Sequence, residues 1–171
     1  MTSENLLLQP IEYKVTESSF GVWKRHLNAQ GQAYAEFTSH RRIIGLPLVH
    51  YTAGRSPETG SRKVARGIIA IGRVSVGVVA IGQAAFGFIA IGQLALGLLF
   101  GLGQGTTGAV AIGQGAAGVV AAGQLTAGGV AVGQLGAGYY VLAQSGVGVH
   151  VWDAKTKDPE AASFFRALLP H

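Results

Sequence analysis

Between residues 67 and 148 the chain repeats itself every ten residues, and so short a period admits few folds. Aligned on glycine, the units begin at Gly67, Gly77, Gly87, Gly97, Gly108, Gly118, Gly128 and Gly138, and the fourth is one residue longer than the rest. A weaker five-residue beat runs inside each unit: glycine, any residue, an aliphatic, a small residue, an aliphatic. The seventh position is glutamine from Gln83 through Gln93, Gln104, Gln114, Gln124 and Gln134 to Gln144, with Arg73 in the first unit.

Two architectures compete for such a stretch. Length and hydropathy alone permit membrane-spanning helices. At about 100° per residue, however, a ten-residue step stops about 80° short of three full turns. Successive glutamines would then walk around the helix, and some would face lipid without partners. The segment also holds 22 glycines, each costing a helix about 1 kcal/mol relative to alanine. A β-solenoid, in which each unit is one coil and neighbours bury each other's apolar face, accounts for the same regularities together. Triplets such as Val79-Ala80-Ile81 alternate with the period of two that a strand requires. Glycine serves tight corners, through positive φ or close approach. A residue recurring once per coil lies about 4.8 Å from its copy, which turns the glutamines into an amide ladder, each side chain bonding to the next.

The expected fold class is therefore all-β. Residues 67–152 form a β-solenoid of about eight ten-residue coils, residues 1–66 a small β-rich N-terminal cap, and residues 153–171 a linker and an amphipathic C-terminal helix. The preferred coil has two strands, at positions three to five and eight to ten. Its larger aliphatics point inward, and small residues such as Ala80, Ala85, Ala90, Ala95, Ala111 and Ala116 face out. A four-sided coil of twenty residues is an alternative, and so is the reversed facing, with alanine inward and a greasy exterior. The extra residue of the fourth unit reads as a bulge or small loop, a tolerated insertion or a binding spot.

At the ends the signals change. Residues 21–26 and 32–39 read as strands joined by a turn at 28–31, and 43–51 as a third strand. Asp158-Pro159-Glu160 reads as an N-cap, a first-turn proline and a first-turn acid. The helix that follows carries Phe164, Phe165, Leu168 and Leu169 as the face that folds back on the last coil; a helix on a membrane surface is the alternative.

At the junction of cap and repeat, residues 42–50 and then 65–72 read Arg-Ile-Ile-Gly-Leu-Pro-Leu-Val-His and Ala-Arg-Gly-Ile-Ile-Ala-Ile-Gly. Over residues 39–148 the chain resembles a group of uncharacterised bacterial glycine-rich repeat proteins. In these, Gly-(Leu/Ile)-Pro-Leu-x-His precedes Ala-(Lys/Arg)-Gly-Ile-Ile-Ala-Ile-Gly and a long glycine-rich repeat. The group often has glycine or aspartate where this chain has its glutamines. The resemblance implies a bacterial origin and the same module order, and it carries no activity and no functional residues.

Chemistry is sparse. There are no cysteines, which removes disulfides and thiolate chemistry, and residues 74–152 contain no Lys, Arg, Asp or Glu. General acid–base work and metal binding both need positioned titratable side chains, so no catalytic, metal or cofactor site is expected and the chain reads as a non-enzyme. His26, His40, His50 and Glu36 match no motif spacing; His50 is expected in the cap under the first coil. No phosphate-binding glycine motif is present. The basic clusters at Lys24-Arg25, Arg41-Arg42 and Arg62-Lys63 suit a weak anionic partner or solubilising charge rather than a specific nucleic acid. The first residues lack the pattern of a secretory signal, so a cytoplasmic location is expected, with the membrane as alternative.

The sequence thus points to a non-catalytic structural protein that self-associates into oligomers or filaments. Its candidate surface is the position-two stripe Val78, Phe88, Leu98, Val119 and Tyr139, opposite the glutamines. A membrane-associated or integral membrane protein is one alternative, and a binding module using a flat face, such as an ice binder, is another.

Overall fold

The computed structural model describes residues 11–27, 31 and 33–168; most of them are in strands, and one helix lies near the C-terminus. β1 (Lys14–Glu17), β2 (Gly21–Leu27) and β3 (Ala33–Ser39) make an antiparallel meander. A short hairpin follows, β4 (Arg42–Ile43) with β5 (Leu46–Pro47). β6 (Val49–Ala53) returns antiparallel to β3, then pairs in parallel with β7 (Ala65–Ile71), which pairs in parallel with β8 (Val74–Trp152). The result is a six-stranded sheet in the order β1-β2-β3-β6-β7-β8.

The third strand expected over 43–51 is divided, and the cause is local. Ile44 and Gly45 take φ of 53° and 76°. Two successive left-handed residues make the tight turn of a two-residue hairpin, which reverses the chain before His50. The turn expected at 28–31 lies outside the described residues except for Gly31, whose φ is 76°. On one face of the meander Trp23, Phe37 and Tyr51 stand opposite one another across β2, β3 and β6. Their rings pack at 5.0 Å (Trp23–Phe37) and 5.8 Å (Trp23–Tyr51), a cross-strand aromatic row.

The repeat keeps its own register. β7 and β8 pair each residue with the one ten further on: Gly67 with Gly77, Ala70 with Ala80, Ile71 with Ile81. β8 then runs for 79 residues through every glycine without interruption. None of its glycines has a left-handed φ, and most of them, Gly105 and Gly115 apart, are required for space. A Cβ on Gly92 would sit 1.9 Å from the carbonyl oxygen of Gly82, and one on Gly123 only 1.6 Å from that of Gly113.

The facing is the reverse of the preferred one. Ala80, Ala85, Ala90 and Ala95 form one fully buried cluster, and Ala111, Ala116 and Ala121 another. The aliphatics beside them, Ile89, Leu102, Val110 and Ile112 among them, are exposed. Layers with long side chains between them stand about 10 Å apart; the buried column here is mostly alanine, so the gap it fills is narrow.

Deviations from alanine confirm how tight that gap is. Val141 is fully buried, and its neighbours across the gap are Gly136 and Gly146, where a Cβ would lie 2.7 Å and 2.8 Å from Val141 Cγ1. Buried Thr106 faces Gly101, where a Cβ would lie 2.2 Å from the threonine Oγ1. The extra residue of the fourth unit is taken up between Gly97 and Phe100: a Cβ on Gly97 would meet the Phe100 carbonyl oxygen at 2.1 Å, and Gly103 lies over Gly92, eleven residues back.

The helix α1 (Pro159–Leu168) starts as its cap chemistry requires. The Asp158 Oδ1 accepts the backbone N–H groups of Glu160 (2.8 Å) and Ala161 (3.0 Å), and these bonds hold its carboxyl below the usual aspartate range.

Candidate functional site

Two surfaces have the character of a site: a polar cluster where the meander meets the first repeat unit, and the flank of β8.

The polar cluster grows from the registers of β3, β6 and β7. His50 lies opposite Thr38 on one side and Ala70 on the other, so it heads the column of buried alanines. Glu36, two residues before Thr38, reaches it from β3. The buried Glu36 carboxylate accepts three hydrogen bonds: from the Tyr34 hydroxyl at 2.7 Å, from His50 Nε2 at 3.0 Å and from Lys63 Nζ at 2.5 Å. The Arg66 backbone N–H donates to His50 Nδ1 at 2.8 Å, which assigns the proton to Nε2. The bond from His50, with those from Lys63 and Tyr34, outweighs burial and pulls the Glu36 carboxyl down to about 2. Burial, then the Glu36 carboxylate beside it, raises the Tyr34 hydroxyl.

A cleft of about 300 Å³ opens next to the cluster, lined by Tyr13, Lys24, Tyr34, Glu36, Glu58 and Lys63. Several groups facing it are paired with one another, Tyr13 with Glu58 and both Tyr34 and Lys63 with Glu36. Glu36 stays ionised with three donors on it, and both His50 nitrogens are used. The arrangement ties β3, β6 and the start of β7 together. Of the histidines considered from sequence, only His50 meets Glu36. His26 Nδ1 lies 2.8 Å from the Glu12 carbonyl and His40 Nε2 3.0 Å from that of Ser18. No group of three or more His, Cys, Asp or Glu suited to a metal ion occurs among the described residues. The Glu36–His50 pair escaped the sequence because its members are fourteen residues apart and meet only through a β3–β6 register that no local pattern encodes.

The flank of β8 is of another kind. Val78, Phe88, Leu98, Val119 and Tyr139 are all exposed, Leu98 and Val119 by about two thirds (65% and 66%). All seven glutamines, from Gln83 to Gln144, are exposed. Backbone pairing reaches this column, with Gln83 N donating to the Arg73 carbonyl at 3.0 Å. At the C-terminal end Phe164 lies flat on Tyr140 (4.2 Å, 9°) and Phe165 is buried with Ala161 and Ala162. Leu168 is exposed, so the packed face of α1 is set by its alanines, and Leu169 lies outside the described residues. The basic residues Lys24, Arg25, Arg41, Arg42, Arg62 and Lys63 are exposed, Arg25 stacking over Trp23 at 4.8 Å. No described helix is long and apolar enough to cross a membrane, which leaves strand crossings untouched.

No protein-family model matches the chain, and neither the curated proteins nor the solved structures contain a match to it.

Proposed function

We propose that this chain is a non-catalytic structural protein whose repeat winds as a β-solenoid of two-stranded, ten-residue coils and whose apolar flank is an association surface. The parallel step of ten between β7 and β8 carries the reading. Column after column of glycines pressed against the carbonyl ten residues earlier supports its continuation through β8. A step of ten favours the two-sided coil over a twenty-residue one. The N-terminal meander and α1 then act as covers for the open edges a solenoid leaves. Kinship with the bacterial glycine-rich repeat proteins is part of the same proposal and rests on the junction motif.

Monomeric soluble proteins rarely expose apolar patches beyond about 300–600 Å². Here a perimeter of ten residues at about 3.3 Å each, over eight coils about 4.8 Å apart, gives roughly 1,300 Å² of uncharged flank before side chains are added. Such a flank is expected to be covered, and side-by-side packing of copies along the Val78–Tyr139 stripe is one cover. Sedimentation of the full chain across a concentration series tests this. Oligomers that dissociate in Phe88→Lys and Val119→Lys variants with unchanged β-type circular dichroism support it; a wild-type monomer at high concentration overturns it.

A further inference from the structure

Side-by-side packing covers only part of the flank. Exposed aliphatics stand on both broad faces, Ile89 and Ile112 on one and Leu94 and Leu125 on the other, and along the stripe edge at Phe88 and Val119. A face three residues wide and eight coils long measures roughly 10 by 38 Å. Pairing two such faces buries less than about 800 Å², below the roughly 1,200 Å² at which stable interfaces begin, and leaves the other face and the stripe in water.

We infer that the flank faces lipid and that the solenoid crosses a bilayer along its long axis; the inference rests on the solenoid reading above. Four features agree. The first is height. No Lys, Arg, Asp or Glu occurs between residues 74 and 152, and eight coils at about 4.8 Å give about 38 Å, enough for a hydrocarbon core of about 30 Å. The second is backbone closure, because a bilayer excludes unpaired backbone groups. β8 continues as strand for 79 residues with no intervening turn. Open edges are confined to its ends, where β7, itself paired with β6, covers one and the Trp152–Lys157 bridge lies at the other.

The third is the chemistry of the two rims. At the first coil stand Arg62, Arg66 and Arg73, with the exposed hairpin tip of Ile43 and Ile44 beside Arg41 and Arg42. At the last stand Tyr139 and Trp152, with Lys157 Nζ 5.3 Å from the Trp152 ring. Aromatic rings and cations belong at the headgroup level. The fourth is the sparseness of polar side chains on the rest of the surface: outside the glutamine column, Thr107, Tyr139 and Ser145 are the exposed ones between Val74 and Val147. The stripe and both broad faces otherwise offer acyl chains aliphatic and aromatic side chains, Phe88, Ile89, Leu98, Ile112, Val119 and Leu125 among them.

The test is reconstitution of the full chain into phosphatidylcholine vesicles, an alkaline carbonate wash, and polarised infrared spectroscopy of oriented bilayers. A crossing solenoid lays its strands in the membrane plane and its interstrand hydrogen bonds along the normal. The expected result is carbonate-resistant protein with the main β amide I band polarised along the normal. Ile112→Arg, near mid-height, is expected to lower the membrane-bound fraction more than about tenfold, while Val147→Arg, near the rim, leaves it nearly unchanged. A β spectrum polarised in the membrane plane, or β-rich protein released by carbonate as a water-soluble oligomer, overturns the crossing and leaves the solenoid standing. A helical spectrum overturns both. The polarisation is read on the unsubstituted chain, so the outcome does not depend on either variant folding.

Discussion

Replacing Gly123 by alanine tests the stacking of units directly. The added Cβ would lie 1.6 Å from the Gly113 carbonyl oxygen, where ordinary contact begins near about 3.5 Å. The upper unit would have to lift by about 1.9 Å at that corner, against a strand spacing of about 4.8 Å. Hydrogen bonds do not survive such a displacement. Losing two of them, at about 1 kcal/mol each, and adding the strain of overpacking gives a cost of about 3 kcal/mol, roughly 6–12 °C in Tm for a chain of this size. Gly115→Ala is the matched control, eight residues away in the same strand. Its Cβ would have no atom nearer than 3.8 Å, so it is expected to gain about 0.5 kcal/mol by restricting the unfolded chain. Thermal and urea unfolding followed by circular dichroism would measure both. Equal effects of the two substitutions, or a neutral Gly123→Ala, would refute the ten-residue stacking and every conclusion drawn from it.

A double-mutant cycle on Val141 and Gly136 probes the narrow gap: Val141→Ala alone leaves a void and Gly136→Ala alone collides with Val141 Cγ1, while the pair restores the alanine–alanine pattern of other units, so a coupling of about 1–3 kcal/mol is expected in urea unfolding. Glu36 is held near 2 against an ordinary value of 4.5, a depressed carboxylate; its contribution, about 3 kcal/mol, is full above pH 4.5 and is lost as pH falls toward 2. Glu36→Gln is therefore expected to destabilise at neutral pH and to converge on the wild type in acid, as unfolding free energies across pH will show. Ile44 holds φ 53° with its side chain 94% exposed, a costly geometry for a β-branched residue; Ile44→Asn is expected to raise the unfolding free energy by about 1 kcal/mol.

Much of this protein is legible along the chain. Period, strand alternation, the uncharged span from Val74 to Trp152 and the cap at Asp158 are all local patterns, and each names an element without reference to the rest of the chain. The facing of the strands is not legible there. The triplet Val79-Ala80-Ile81 is as compatible with valine inward as with alanine inward; only the width of the space it packs into chooses, and that space takes alanine almost throughout. The same holds for the exceptions. Val141 and Thr106 look like ordinary substitutions until Gly136, Gly146 and Gly101 are found across from them. Glu36 and His50 became a pair only when β6 turned back along β3, after the left-handed turn at Ile44-Gly45 had split what reads as one strand. Alternation and period are carried by neighbours in the chain, whereas the side of a strand that is buried, and what faces it, are settled by residues that only folding brings near.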